Sequence, residues 1–142
     1  MAHTISYRIY YEDTDAGGVV YHTNYLKFAE RARTEWLREL GFDQSVLMKE
    51  DDIGFVMRRC EIDFLAPARL DDLISVETHL QELGKVRMTM RQTIHRGSSK
   101  LAALTVKLAC INQQGKPTAL PAELVKKLDK QNLVGTRRSK ES

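Results

Sequence analysis

The hydrophobic pattern of this chain changes period twice, and that change restricts the fold more than any other feature. Residues 4 to 11 set Ile5, Tyr7 and Ile9 on one side and Ser6, Arg8 and Tyr10 on the other, the two-residue repeat of a strand. From Asn24 the apolar positions become Tyr25, Phe28, Ala29, Ala32, Trp36, Leu37 and Leu40, which describe an amphipathic helix burying one broad stripe. Gly41 stands where a helix commonly ends in a left-handed residue. A weaker helical piece covers Asp43 to Lys49, with Val46 and Leu47 apolar.

After Asp52 the period returns to two. Phe55 and Met57 start a strand that continues through Cys60, Ile62 and Phe64, and the phase slips near Arg58 as a β-bulge would make it. Pro67 closes this run, and Ile74, Val76, Thr78 and Leu80 begin the next. Gly84-Lys85 turns the chain into Met88, Met90, Gln92 and Ile94, a predicted hairpin. Gly97-Ser98-Ser99 then leads to Leu104, Val106, Leu108 and Cys110, and Pro121 opens a short helix with Leu124, Val125 and Leu128 on one face. One long helix among about five strands in meander order predicts an α+β architecture in which the sheet wraps the helix. Trp36, Phe55 and Phe64 could shape a pocket or fill the core, and the core is the favoured expectation.

At 142 residues and 42% hydrophobic content the chain suits one domain. That domain is expected over residues 1–134, with 135–142 a basic, disordered tail. Charge interrupts every apolar stretch before the roughly 20 residues a membrane span requires. Met1-Ala2-His3-Thr4 lacks the basic head and apolar run of an export signal. A cytoplasmic location follows as an expectation. Cys60 and Cys110 lie far apart without further Cys or His at ligand spacing, so they are expected as buried free thiols, with no metal centre. The net charge of +3, partly from Arg137-Arg138-Ser139-Lys140, favours anionic ligands mildly.

Chemistry concentrates between the first strand and the long helix, where Glu12 to Thr23 reads as a loop. Asp15 there is a candidate nucleophile or general base, because a carboxylate beside a helix start faces free N–H groups and the positive end of the dipole. Asp13 and Asp15 serve equally well as turn formers. Gly17 and Gly18 permit positive φ and close approach to a ligand, with N–H groups near His22 to Asn24 as oxyanion donors. Thr23 or Asn24 is expected to cap the helix. His22 offers a titrating imidazole and Tyr11 a hydroxyl donor. Arg58, Arg59, Arg69, Arg87, Arg91, Lys100 and Lys107 are candidate phosphate contacts that read equally as a solvated strand face.

The run Tyr10-Tyr11-Glu12-Asp13-Thr14-Asp15-Ala16-Gly17-Gly18-Val19-Val20-Tyr21-His22, the segment Glu30-Arg31-Ala32-Arg33-Thr34-Glu35, and Phe64-Leu65-Ala66-Pro67-Ala68-Arg69-Leu70-Asp71-Asp72 together carry a resemblance. They resemble the hotdog-fold acyl-CoA thioesterases of the 4-hydroxybenzoyl-CoA thioesterase class, in particular the Tol-Pal-associated (YbgC-type) branch, over roughly residues 5 to 125. The resemblance implies a long helix wrapped by an antiparallel sheet of about five or six strands. It also implies homodimers or tetramers with sites at the subunit interface, an acyl-CoA substrate and no cofactor. Asp15 maps onto the catalytic carboxylate, the His22 N–H onto the group that polarises the thioester carbonyl, and Tyr11 and His22 onto the motif's tyrosine and histidine. Gly17, Gly18, Val19, Thr23, Asn24, Arg58 and Arg59 are taken as substrate-binding. Thr23-Asn24 and the long basic C-terminal segment depart from the branch pattern.

Two readings compete. A noncatalytic acyl-CoA or acyl-carrier binding module uses the same groove but gains little from an acid aimed at the thioester. A nucleic-acid binder is suggested by the basic tail alone, and the chain lacks an aromatic stacking platform. No nucleic-acid partner is expected. The absence of Gly-x-Ser-x-Gly argues against an α/β-hydrolase.

Overall fold

The structure, a computed structural model, describes residues 3–131 and 137–138. Strand β1 (His3–Arg8) leads through the 10–21 segment into helix α1 (His22–Glu39). Helix α2 (Gln44–Asp51) and the long strands β2 (Gly54–Phe64), β3 (Leu73–Leu83), β4 (Arg87–Arg96) and β5 (Ser99–Ile111) follow, then helix α3 (Ala122–Gln131) and the two-residue strand β6 (Arg137–Arg138). The sheet order is β1-β3-β4-β5-β2, all antiparallel, with β6 parallel to β3 beyond the end of β1. The expected α+β hotdog arrangement is present. Meander order holds for β3 to β5 only, because β2 crosses to the far edge and pairs with β5. The remainder of the expected disordered tail lies outside the described residues.

The helix packs where the period-2 pattern points. Tyr25, Phe28, Ala29, Ala32, Trp36 and Leu37 form its buried stripe. They meet one face of the sheet, built from Ile74, Val76 and Leu80 of β3, Met88, Met90 and Ile94 of β4, and Leu104, Val106, Leu108 and Cys110 of β5. Ala29 and Ala32 are fully buried, and their small side chains let the helix axis approach the strands. Among the described residues the register shifts at three places: between Met57 and Arg59, as the sequence phase predicts, between Leu80 and Glu82, and between Ile94 and His95. The shift between Leu80 and Glu82 returns Leu83 to the inner face, where it is fully buried.

One polar group sits inside this interface. Gln92 is fully buried, donates through Nε2 to the Ala29 carbonyl (2.9 Å) and Thr78 Oγ1 (3.0 Å), and accepts from Arg33 Nη1 (2.9 Å). Burial lowers the Arg33 guanidinium from its ordinary value, against the opposing pull of Glu30. The far end of α1 is closed by Gly41 at φ 95° and by Lys127 Nζ of α3, which donates to the Leu40 carbonyl at 2.7 Å.

Three expectations are corrected. Helix α1 starts at His22 rather than Asn24, and its N-cap is Tyr21, which makes no side-chain cap. Thr23 and Asn24 lie inside the first turn, and neither caps it. Phe64 is not core: it is 51% exposed, because it ends the edge strand β2, whereas Trp36 is 1% exposed. Cys110 is buried as expected, but Cys60 on the same edge strand is only partly so. Burial pushes the Cys110 thiol up to about 11.

Two outcomes follow from this packing. Gln92→Ala leaves the buried Thr78 hydroxyl and an Arg33 donor without this partner in the interior, so chemical denaturation should show a loss of about 2–4 kcal/mol. At pH 8 the Cys110 thiol is neutral and enclosed, so a thiol reagent should label Cys60 in the native protein and Cys110 only after unfolding.

Candidate active site

The segment between β1 and α1 is a small hairpin rather than an open loop. Tyr11–Asp13 makes one 3₁₀ turn, fastened by Tyr10 N–H donating to Asp13 Oδ2 at 2.9 Å. Thr14 then pairs with Val20, Asp15 N–H donates to the Val19 carbonyl at 2.9 Å, and Gly18 N–H donates to the Asp15 carbonyl at 3.0 Å. The tip is Asp15-Ala16-Gly17-Gly18, with Gly18 at φ 79°. Glycine there avoids the cost of about 1–2 kcal/mol that a side chain incurs in the left-handed region.

Asp15 is exposed at this tip. Its Oδ1 accepts the Gly17 N–H at 2.8 Å, while its Oδ2 has no hydrogen bond among the described residues. The turn-forming and reactive readings of this acid are thus compatible, since one oxygen orients the group and the other stays open. Asp13 by contrast is structural. Its carbonyl accepts both Tyr21 N–H (3.1 Å) and Asn24 Nδ2 (2.8 Å), which joins the hairpin to the first turn of α1. The N–H groups of His22 and Thr23 take no part in these loop bonds, as expected of a helix start whose leading donors have no intrahelical acceptor.

A cleft of about 340 Å³ opens at this helix start between Val20, His22, Tyr25, Phe64, Leu65 and Pro67. Its wall is aromatic. Tyr21 and His22 rings lie 4.5 Å apart, and Phe64 meets His22 at 6.3 Å and Tyr25 at 5.5 Å, both edge-on. The helix start thus combines N–H groups outside these loop bonds with an apolar cleft, and the open Asp15 carboxylate sits on the hairpin that leads into it, outside the cleft's lining.

Asp15, Gly17, Gly18, Val19, His22, Thr23 and Asn24 are brought together on this hairpin and first turn. Tyr11 is 81% exposed, with its carbonyl accepting from Thr14 Oγ1 at 2.7 Å. Arg58 and Arg59 are elsewhere, at the β2 bulge. They lie five and six residues from Phe64, roughly 16–20 Å along the strand, and Arg59 pairs with Glu61 at 2.7 Å. Phe64 takes the pocket-shaping role that the sequence left open to it, whereas Tyr25, whose hydroxyl accepts the Ala68 N–H at 3.0 Å, shapes the cleft and escaped sequence reasoning. Tyr25 falls on the helical stripe, so its hydroxyl gave no separate signal. Among the described residues no cluster of His, Cys, Asp and Glu has metal-binding geometry, and no helix is long and apolar enough to cross a membrane.

Residues 17–103 match the family described as the thioesterase superfamily. The chain belongs to the thioesterase superfamily. It is 48% identical to the acyl-CoA thioesterase YbgC of Haemophilus influenzae over 118 residues, 82% of this chain and 87% of that protein. It is 42% identical to the acyl-CoA thioester hydrolase YbgC of an Escherichia coli O6:H1 strain, over 83% and 89% of the two chains. A probable thioesterase from Bartonella henselae superposes with a TM-score of 0.83 at 41% identity, covering 85% of this chain and all of that one.

The hairpin tip predicts an asymmetry between its glycines. Gly18→Ala should cost about 1–2 kcal/mol in chemical denaturation. Gly17→Ala should leave stability within about 0.5 kcal/mol, yet its Cβ would stand 3.2 Å from Asp15 Oδ1 and displace the carboxylate by a few tenths of an ångström in a crystal structure.

Proposed function

We propose that this chain is an acyl-CoA thioesterase, hydrolysing an acyl-CoA to the free carboxylic acid and CoA without metal or redox cofactor. The observation that carries the reading is the half-committed Asp15 carboxylate on a hairpin that Tyr21 N–H and Asn24 Nδ2 fasten, through the Asp13 carbonyl, to the start of α1. Relatives at 42–48% identity named as acyl-CoA thioesterases or hydrolases support the substrate class.

In one route Asp15 Oδ2 attacks the thioester carbon, the C–S bond breaks, CoA leaves as thiolate and water hydrolyses the resulting mixed anhydride. In the other, Asp15 takes a proton from water as it attacks, and the proton passes to the departing thiolate. Either way negative charge develops on the carbonyl oxygen, and the His22 N–H at the helix start stabilises it. A thioester suits this weak nucleophile, because its carbonyl is poorly resonance-stabilised and thiolate leaves readily. His22 assists from the cleft wall, Gly17, Gly18, Val19, Thr23 and Asn24 line the approach, and the exposed Tyr11 hydroxyl is assigned a donor role on the resemblance alone.

We assign the working form to a homo-oligomer. Strand β2 is an open edge carrying exposed Val56 and Met57 and running into exposed Phe64 and Leu65, and natural sheets commonly close such edges. A second copy along β2 would cover the cleft, exclude water from Asp15 and bring Arg58 and Arg59 within reach of a bound CoA phosphate. A cytoplasmic reaction is the location we assign to a CoA-ester substrate, and both it and the tie to Tol-Pal machinery rest on the resemblance to the YbgC branch.

The test is thiol release from short-chain, long-chain and aromatic acyl-CoAs by wild type and a folded Asp15→Asn variant. The variant should lose at least about 100-fold in kcat on the preferred substrate. Equal rates in the two proteins, or no release by wild type from any ester, would make Asp15 a turn former and favour a noncatalytic acyl-CoA binder.

A further inference from the structure

The segment Ala66-Pro67-Ala68-Arg69-Leu70-Asp71-Asp72 touches the reaction hairpin at both of its ends. Where the hairpin leaves β1, Ile9 N–H donates to the Asp72 carbonyl (2.8 Å) and Asp71 N–H to the Ile9 carbonyl (3.0 Å). Where it enters α1, Val20 N–H donates to the Ala68 carbonyl (2.8 Å), and Val19 bridges Arg69. Tyr25, in the first turns of the helix, accepts the Ala68 N–H. The hairpin, the helix start and this strap therefore share one set of backbone bonds.

Few groups hold the strap in shape. Asp72 Oδ2 accepts both Arg69 N–H and Arg96 Nη1 at 2.8 Å, and the same Nη1 donates to the Pro67 carbonyl at 3.1 Å. One carboxylate oxygen and one guanidinium nitrogen thus close residues 67–72 into a ring. Burial acts to raise the Asp72 carboxyl, and the Arg96 and Arg69 donors reverse this, holding it below its ordinary value. Inside the ring Asp71 adopts φ 70°, a left-handed conformation that persists only where neighbours enforce it. Arg8 Nη1 adds a bond to the Asp71 carbonyl at 2.8 Å.

We propose that Asp72 and Arg96 are positioning residues of the active site, acting through the strap to fix the Asp15 hairpin and the α1 N–H donors relative to each other. What is positioned rests on the thioesterase reading. That the strap holds the hairpin does not. Neither side chain lines the cleft, so their influence passes through Ala68, Val20 and Ile9. Catalytic carboxylate and oxyanion donors must be held to a fraction of an ångström to act together, and the strap is the element bonded to the supports of both.

The experiment compares wild type with Asp72→Asn, Arg96→Met and Arg96→Lys by residue-resolved amide hydrogen exchange and by thiol release. In Arg96→Met and Asp72→Asn the Val20 and Tyr21 amides should exchange at least about tenfold faster, while amides of β4 and β5 away from Arg96 stay near wild type. Lysine at 96 should restore part of that protection. On the preferred ester, kcat should fall about 10- to 100-fold with KM within about twofold. Adding Arg96→Met to Asp15→Asn should cost little more than Asp15→Asn alone, as expected of groups acting as one unit. Unchanged Val20 and Tyr21 exchange, or acceleration spread evenly through the sheet, would overturn the proposal, as would a kcat that survives in Arg96→Met. A wild type that releases no thiol would sink the thioesterase reading instead, and the exchange comparison would still decide the strap.

Discussion

The fit of α1 against the concave face of β3 to β5 is the contact on which the rest of the molecule depends. Apolar burial drives it, but apolar surfaces alone tolerate sliding, and Gln92 removes that freedom. Its amide spans three partners of fixed geometry, the Ala29 carbonyl, Thr78 and Arg33. A buried amide that loses any of them leaves a polar atom without water or protein. The helix is therefore held in register along its axis, and the position of its first turn over the sheet edge is set from within the core.

That register gives the hairpin its value. A carboxylate on a glycine-rich tip is ordinary, as are unpaired N–H groups at a helix start. Reactivity requires the two to be fixed with respect to one another. Asp13 joins hairpin to helix through its carbonyl, and the strap of residues 66–72 joins both to β1 and β4. The exposed tip is thus tied to the core's rigidity, and the helix start that follows it opens onto an aromatic cleft at the end of edge strand β2.

Much of the fold could be read from spacing. The stripe of α1, the bulge near Arg58, the β3–β4 hairpin at Gly84-Lys85 and the final helix after Pro121 all follow from which side chains must face the same way. The errors lie at boundaries and edges. Helix α1 begins two residues early because the Asp13 carbonyl draws in Tyr21 and Asn24, a tertiary substitute for the side-chain cap that Thr23 or Asn24 was expected to supply. Phe64 reads as core from its phase, yet its strand ends at an uncovered edge. Periodicity assigns a face and has no information on whether another layer covers it.

The same division runs through the site. Local order was sufficient to bring Asp15, the two glycines and the helix start onto one hairpin and first turn, because all lie within one short stretch whose geometry is set by neighbours a few residues away. It was not sufficient for Tyr25 over Ala68, Val20 beside Ala68 or Asp72 with Arg96, contacts between residues 24 to 48 positions apart in the chain. Such contacts exist only after the sheet has folded around the helix. The candidate chemistry is therefore legible in a local motif, and the alignment of its parts belongs to the fold, since only long-range packing can bring the supporting groups within bonding distance.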